Sequence, residues 1–405
     1  MPINITNRRE LFVDGFLVEN FSGGAALRLH PPTPREIALN HDAPWEGSGS
    51  GYHSVFQDGD LYRMYYKAWQ ITVTPRKVEQ SGRARFCCYA ESDDGIHWRK
   101  PELGLHEFEG STSNNIVFAD SLLGEMKVDA AHPAVFKDTN PDAAPDALYK
   151  AIIRTGNPAG VIPFQSPDGL RLTPMSDQPV MTDGAFDSQN LAFWDEVGCQ
   201  YRAYWRYFTD EKTTGAKHRA IRTATSPDLI HWENQADLRY IDSPSEELYT
   251  NQIKPYYRAP HLLLGFPARY VERGWSASMR ALPDLQHRQW RAQGSERYGT
   301  ALSEGLLMAG RDGVTFKRWN EAFLRPGPER PGTWNYGHQY IAWHLVETAS
   351  ELAGAPNELS LYATENYWTG AGGTASSLRR YTLRLDGFVS VQAPMSGGEI
   401  TTKPV

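Results

Sequence analysis

Just ahead of five recurring stretches of alternating hydrophobic and aromatic residues, this 405-residue sequence places carboxylates, amides and aromatic side chains. Asp42, Trp45, Glu46, Tyr52 and His53 precede the first stretch, and Asp129 and His132 the second. Asp187, Gln189 and Asn190 precede the third, Glu247, Tyr249, Asn251 and Gln252 the fourth, and Trp334, Asn335, His338 and Gln339 the fifth. A single Asp before a strand is ordinarily a turn former. Carboxylates at four of the five positions, brought to one place, have the makings of glycosidic bond cleavage. One carboxylic acid protonates the leaving oxygen, a second carboxylate attacks or activates water, and amides and rings hold the sugar. Asp187, Glu247, Asp129 and Glu46 are therefore the candidate catalytic groups. His53, His132, Gln189, Asn190, Tyr249, Asn251, Trp334 and His338 are the candidate substrate contacts.

The elements that must position these residues are repeats. Each stretch ends in a turn signature, clearest in Ser92-Asp93-Asp94-Gly95-Ile96-His97-Trp98 and Ser226-Pro227-Asp228-Leu229-Ile230-His231-Trp232. Ser166-Pro167-Asp168-Gly169-Leu170, Arg311-Asp312-Gly313-Val314-Thr315-Phe316 and Arg384-Leu385-Asp386-Gly387-Phe388 are weaker copies. A unit of several short strands cannot bury its own apolar face and must stack on its neighbours. The expected fold is all-β, a five-bladed β-propeller over residues 1–395 followed by a tail at 396–405. Inner strands are expected to begin near His53, His132, Asn190, Gln252 and Tyr340, so that the strand-entry residues converge on the central funnel. Residues 10–19, with Leu11-Phe12-Val13-Asp14-Gly15-Phe16-Leu17-Val18, read as an N-terminal strand helping to close the ring. The polar stretch at about 271–300, with Trp275, Arg280, Trp290 and Arg297, breaks the repeat spacing and reads as an insertion near the mouth. Val73 to Arg85 is a second candidate lid.

Composition narrows the partners. A net charge of −7 argues against a polyanion such as nucleic acid. Three cysteines, two of them adjacent, make a poor disulfide framework and fit a reducing compartment. The first residues carry no apolar run of the signal-peptide kind, and no stretch is long and apolar enough to span a membrane, so a cytoplasmic location is expected. Zinc-ligand spacing, a Gly-x-Gly-x-x-Gly loop and a Walker loop are all missing from the sequence.

The turns, with acidic residues entering the inner strands, resemble the five-bladed glycosidases of glycoside hydrolase families 32, 43 and 68. Leu11-Phe12-Val13-Asp14, Tyr89-Ala90-Glu91-Ser92-Asp93-Asp94-Gly95-Ile96-His97-Trp98 with Lys100-Pro101-Glu102-Leu103-Gly104, and Phe186-Asp187-Ser188-Gln189-Asn190 are similar to bacterial proteins related to the family 32 N-terminal domain. The resemblance implies a nucleophile or base from the first blade, an orienting Asp from the second and a general acid from the third. By blade position these fall on Glu46, Asp129 and Asp187, with Glu247 a rival acid. It also implies a central cation near His338. The sequence departs from the family pattern in having no Trp-Met-Asn-Asp-Pro-Asn-Gly block and no Arg-Asp-Pro, and in placing Tyr52-His53-Ser54 where family 43 would place an Asp. The expected substrate is a small glycan or glycoside, such as an arabinofuranoside or fructofuranoside. Two alternatives stand beside hydrolysis: a phosphorylase, for which Arg269, Arg273 or Arg280 would line a phosphate pocket, and a non-catalytic sugar-binding propeller.

Overall fold

The computed structural model describes residues 2–80, 84–210, 217–367 and 376–405. Five sheets of four or five strands, antiparallel but for one edge pairing, form the blades of a propeller. The first blade runs outward through Gly51–Asp58, Leu61–Ala68, Phe86–Ser92 and Ile116–Ala119. The second is built on Met126–Lys137, Tyr149–Gly156, Gly160–Ser166 and Thr173–Pro174, with Ser121–Leu123 paired to the start of its long inner strand. The third comprises Leu191–Asp195, Gln200–Phe208, Arg219–Ser226 and Glu233–Asp237. The fourth uses Lys254–Tyr256, Ala259–Gly265, Met308–Gly310 and Thr315–Arg318, and Arg239–Ile241 joins its outer edge in parallel. The fifth comprises Val346–Thr348, Glu358–Glu365 and Ser377–Arg384, completed by Thr33–Asn40.

The turn signatures work as local hydrogen-bond machines. Ser92 Oγ accepts from the amides of Asp94 at 3.2 Å and Gly95 at 2.9 Å, while Asp94 Oδ1 accepts from Ile96 and His97, both at 2.8 Å. This leaves Gly95 at a φ of +72°, where a side chain would be strained and would also strike Thr348. A neighbouring blade then grips the turn. Tyr362 of the fifth blade donates to Gly95 O, Arg63 of the first to Asp168 O at 2.8 Å, Tyr204 of the third to Gly313 O at 2.9 Å, and Tyr256 of the fourth to Asp386 at 2.7 Å. The repeated Tyr and Arg of the strands therefore serve the contacts between blades.

Ring closure differs from the sequence expectation. Thr33–Asn40 supplies the outer strand of the fifth blade, with Leu39 opposite Leu378 and Thr33 opposite Thr382. Residues 11–17 form turns instead of a strand, held by Asp14 Oδ1 accepting from Phe16 N at 3.0 Å. Leu11 and Val13 insert as a plug among Leu262, Phe323 and Phe388. The fifth blade has one open edge, beside Ser377–Arg384, and Thr33–Asn40 occupies it. The C-terminal tail is likewise drawn in: Glu399–Thr402 pairs with Val18–Ser22, and Val389–Gln392 with Ala26–Leu29. The fifth inner strand also differs. Around Tyr340 the chain makes only isolated bridges, and the regular strand begins at Val346.

The insertion is a hairpin, Ala268–Glu272 with Ala301–Gly305, carrying three short helices, Ala277–Ala281, Leu285–Ala292 and Glu296–Thr300. Two buried arginines pin it to the loop before the fifth blade. Arg288 donates to the carbonyls of Trp334 at 2.7 Å and Thr333 at 3.0 Å, and Arg291 to Asn335 Oδ1 at 2.6 Å. In the other candidate lid, Thr72–Val73 pairs with Val78–Glu79, and residues 81–83 lie outside the described residues. Cys87 and Cys88 are buried and Cys199 exposed, and the three form no disulfide among the described residues. No helix among the described residues is long and apolar enough to cross a membrane.

Candidate active site

At the axis the chain satisfies its own backbone with one amide. Gln189 is fully buried, and its Nε2 donates to Tyr52 O at 3.0 Å, Ser54 Oγ at 3.1 Å and Pro133 O at 3.1 Å. Its Oε1 accepts from Gln252 Nε2 at 2.6 Å, so four blades meet on this side chain. Above it, Tyr52 and Gln252 take left-handed backbone conformations, φ +52° and +44°, on entering their blades. Such conformations persist only where surrounding contacts over-determine them.

A cavity of about 490 Å³ opens beside this plug. Its walls are Tyr52, Lys67 and Trp69 of the first blade, Ala131, His132 and Arg154 of the second, Asp187 and Tyr249 from the entries to the third and fourth, Arg297 and Tyr298 of the insertion, and Tyr336 and Tyr367 of the fifth-blade region, with Gln80 and Arg85 at the rim. The polar centre is a three-residue chain. His132 Nδ1 lies 3.0 Å from Asp129 Oδ2, and His132 Nε2 lies 3.2 Å from Asp187 Oδ1. Asp129 is buried behind the wall, where it also meets Arg154 at 2.7 Å and Arg85 at 3.2 Å. The register break in the inner strand between Asp129 and Ala134 makes this possible, because it turns both Asp129 and His132 toward the same end of the axis.

Both carboxylates are held ionised. Enclosure by the cavity walls would on its own raise the pKa of Asp187, whose carboxylate still opens into the cavity, but the hydrogen bond and charge of His132, followed by Arg206 and Arg154, hold it well below the usual range. For Asp129, burial is likewise outweighed by His132, Arg85 and Arg154. Lys67 is the counterpoint. It is 1% exposed, donates to Tyr367 Oη at 2.6 Å and sits 4.4 Å over the ring of Tyr52 and 4.6 Å over that of Trp69. Burial pulls its pKa down to about 7, against the pull of Asp187 and Asp129 toward the charged form. Burial pushes the Tyr52, Tyr336 and Tyr367 phenols well above their ordinary value, so these rings line the cavity as neutral hydrogen-bonding groups.

Of the residues singled out in the sequence, Asp187, His132 and Tyr249 line this cavity, and Asp129 supports it from behind. The others lie elsewhere. Glu46 is fully buried between Lys100 at 2.7 Å and Tyr66 at 2.6 Å, with its pKa raised by burial. It caps the turn before the first blade by accepting from Ala43 N at 2.8 Å. His53 is buried against His41, 3.0 Å away. Gln189 is the axis plug, and Asn190 spends its amide on the carbonyls of Phe186 at 3.1 Å and Ser188 at 2.9 Å. Asn251 is buried and bonded to Tyr204 O at 3.4 Å. Glu247 turns its carboxylate onto Arg219 at 2.6 Å. Trp334 lines a separate cavity beside the insertion, with Arg273. His338 is buried, accepts from Trp334 N at 2.9 Å and has its pKa lowered by burial to about 4. Among the described residues no three His, Cys, Asp or Glu side chains are grouped to hold a metal, at His338 or elsewhere. Arg269 is engaged by Glu304 and Glu246, and Arg280 lies over Trp275, so neither faces the cavity. These misplacements share one cause. Polar residues before a strand are as useful for capping and for plugging the axis as for gripping a ligand.

Lys67 and Arg154 line the cavity from positions that are not strand entries, so the sequence pattern does not single them out, whereas Arg297 and Arg85 come from the insertion and the second candidate lid. Lys67 does carry a signal of its own, as a lone cation in the apolar run Met64-Tyr65-Tyr66-Lys67-Ala68. A larger cavity of about 540 Å³ opens at the opposite end of the inner strands, near Phe56, Lys254, Tyr256 and His344. Its one carboxylate, Glu347, is already bonded to Tyr257 at 2.6 Å, whereas the smaller cavity brings Asp187, His132 and Lys67 together.

No protein-family model matches the sequence, and no curated protein does. Solved structures do match along the whole fold. A complex of BT0996 with RGII aligns with a TM-score of 0.51 at 14% identity, covering 91% of this protein and 96% of the matched one. The fructofuranosidase of Schwanniomyces occidentalis, complexed with fructose, aligns with a TM-score of 0.50 at 15% identity over 92% of this protein, which spans 62% of the fructofuranosidase. The catalytic domain of the Coprinopsis cinerea GH62 α-L-arabinofuranosidase aligns with a TM-score of 0.50 at 10% identity, covering 87% of this protein and 97% of the matched one. At these identities the likeness is one of fold, and the class it defines is the five-bladed β-propeller.

Proposed function

We propose that this propeller is a glycoside hydrolase acting on a small glycan or glycoside, a furanoside such as an arabinofuranosyl or fructofuranosyl unit being the first class to try. The observation that carries the reading is Asp187, an ionised carboxylate open to an aromatic-walled cavity and fixed by the Asp129–His132 pair. Neutral phenols and Trp69 offer faces and hydroxyls suited to a sugar. The fold shared with a fructofuranosidase and an arabinofuranosidase supports the same reading.

The charge states reassign the roles. A carboxylate held well below its usual range is a poor proton donor, so Asp187 serves as the base instead of the acid. Lys67, with a pKa near 7, is the lining group that releases a proton at neutral pH. In the proposed step the Lys67 ammonium gives its proton to the leaving oxygen as the glycosidic C–O bond breaks. Water bonds to the anomeric carbon and passes its proton to Asp187. His132 and the two arginines keep Asp187 aimed and charged.

The test is a screen of aryl furanosides and pyranosides, with and without phosphate, on the wild type and on Asp187→Asn. The expected result is phosphate-independent turnover that falls by about 10²–10⁴-fold in the variant. Sugar binding without turnover on any substrate would make the protein a binding propeller, and equal turnover by the two proteins would remove Asp187 from the chemistry.

A further inference from the structure

Beside the main cavity lies a side chamber of about 340 Å³, which shares Arg154, Asp187, Tyr249 and Arg297 with it. Its remaining walls include Gly184, Phe208, Arg206 and Arg219. Arg206 is 4% exposed, and its Nε donates to Ala185 O at 3.1 Å. Its nearest carboxylate oxygen, on Asp187, is 3.9 Å away, and its Nη1 is buried with no partner among the described residues. Arg219 gives one nitrogen to Glu247 and leaves a buried Nε without a partner among the described residues. Arg297 forms no ion pair with a described residue and lies 5.0 Å over the ring of Tyr298. Rings also brace the other two guanidiniums, Tyr249 at 4.8 Å from Arg206 and Tyr270 at 4.7 Å from Arg219. Stacked, partly unsatisfied guanidinium edges converging on one space are costly without an acceptor. They match the paired oxygens of a carboxylate or other oxyanion.

The geometry points to the side chamber as an oxyanion subsite, and hence to a substrate whose sugar carries an acidic group, the carboxylate of a uronosyl unit, next to the bond presented to Asp187. This rests on the hydrolase reading of the main cavity for the second half of the statement, and on the arginines alone for the first. The apolar surface of Phe208 and Tyr249 beside the guanidiniums favours an oxyanion borne on a sugar ring over a free one.

Calorimetric titration with a panel of methyl uronosides and their neutral counterparts tests the subsite without needing turnover. The wild type should bind at least one uronoside about 10- to 100-fold more tightly than the neutral sugar, the range given by hydrogen bonds to a charged group. Arg297→Gln, a half-buried position with no acidic partner to orphan, should erase most of that preference, the uronoside losing far more affinity than the neutral sugar. Arg206→Met should do the same, and its melting temperature reports whether it folds. Equal affinity for acidic and neutral sugars, no binding of any uronoside, or an undiminished preference in Arg297→Gln would overturn the proposal. Inorganic phosphate supplies the other arm: if it competes for the chamber and glycoside turnover then yields a sugar phosphate, the oxyanion is free phosphate and the uronosyl assignment falls. Uronoside preference without hydrolysis of any aryl uronoside would uphold the subsite and sink the hydrolase reading instead.

Discussion

Two acidic side chains of the first and third blade entries show how environment divides residues of like chemistry. Asp187 opens into the cavity with its side chain 64% accessible, while Glu46 is sealed between Lys100 and Tyr66. Glu46→Gln would therefore lower the melting temperature, because it strips Lys100 of its closest counter-charge, yet leave sugar affinity as in the wild type. Thermal scans and titration of the same preparations check both halves. On the proposed mechanism Lys67 carries the pH dependence. Its amine is protonated below about 7 and neutral above, so an acid role requires kcat to fall as pH rises through that value. Lys67→Met should remove this limb and cost about 10²–10⁴-fold in rate. Stability runs the opposite way. Between about 7 and the ordinary 10.5 the unfolded chain binds a proton that the folded chain does not, so this residue makes the fold more stable as pH rises through that window. Below it both states are protonated and the burial penalty is complete. A melting-temperature series across that pH range should rise in the wild type relative to Lys67→Met.

At the scale of elements, the inner strands do two jobs, and the axis end of each is where they meet. In sequence Gln189 has the marks of a sugar contact, since it sits at a strand entry among amides, but its donors are consumed by Tyr52 O, Ser54 Oγ and Pro133 O. Replacing it with Met would orphan buried carbonyls at about 1–3 kcal/mol each. It would also free the left-handed turn at Tyr52 that presents a cavity wall. Gln189→Met should lose stability in urea by a few times the change seen on an ordinary surface substitution, and weaken sugar binding. Stability loss with intact binding would show that Tyr52 is held by other contacts. The insertion is the second element with two roles. Its buried Arg288 and Arg291 anchor it, and its Arg297 and Tyr298 reach the cavity.

For the whole molecule, closure is the decisive event. A propeller leaves an open edge between its last and first blades unless a strand from the other end of the chain fills it. Here Thr33–Asn40 does so, and Arg380, 1% exposed, meets Glu36 across the joint. Removing residues 2–40 would expose the edge of Ser377–Arg384 and leave a buried guanidinium short of its partner. The truncated chain should aggregate or pair edge to edge, read by size-exclusion chromatography, whereas shortening the tail after Thr402 should leave the elution unchanged.

The sequence by itself determined the blades, because the signals for them are local. Alternation sets which face of a strand is apolar, and a Ser-x-Asp-Gly turn is closed by hydrogen bonds spanning a few residues, as at Ser92 to His97. Five such units in succession leave stacking into a ring as the way to bury their faces, and the same logic places Asp187 and His132 at its mouth. Three things waited for the tertiary structure. Which strand closed the ring is a long-range pairing: Thr33–Asn40 lies on the edge of Ser377–Arg384, and residues 11–17 do not. Which entry residues faced the cavity depended on backbone turns such as those at Tyr52 and Gln252, whose φ values no pattern of residue types encodes. And the charge states, an ionised Asp187 and a Lys67 amine whose pKa falls to about 7, arise from neighbours far apart in the chain, Lys67 with Tyr367 and Asp187 with His132 and Arg206, since burial and Coulomb forces act through space and are indifferent to sequence order.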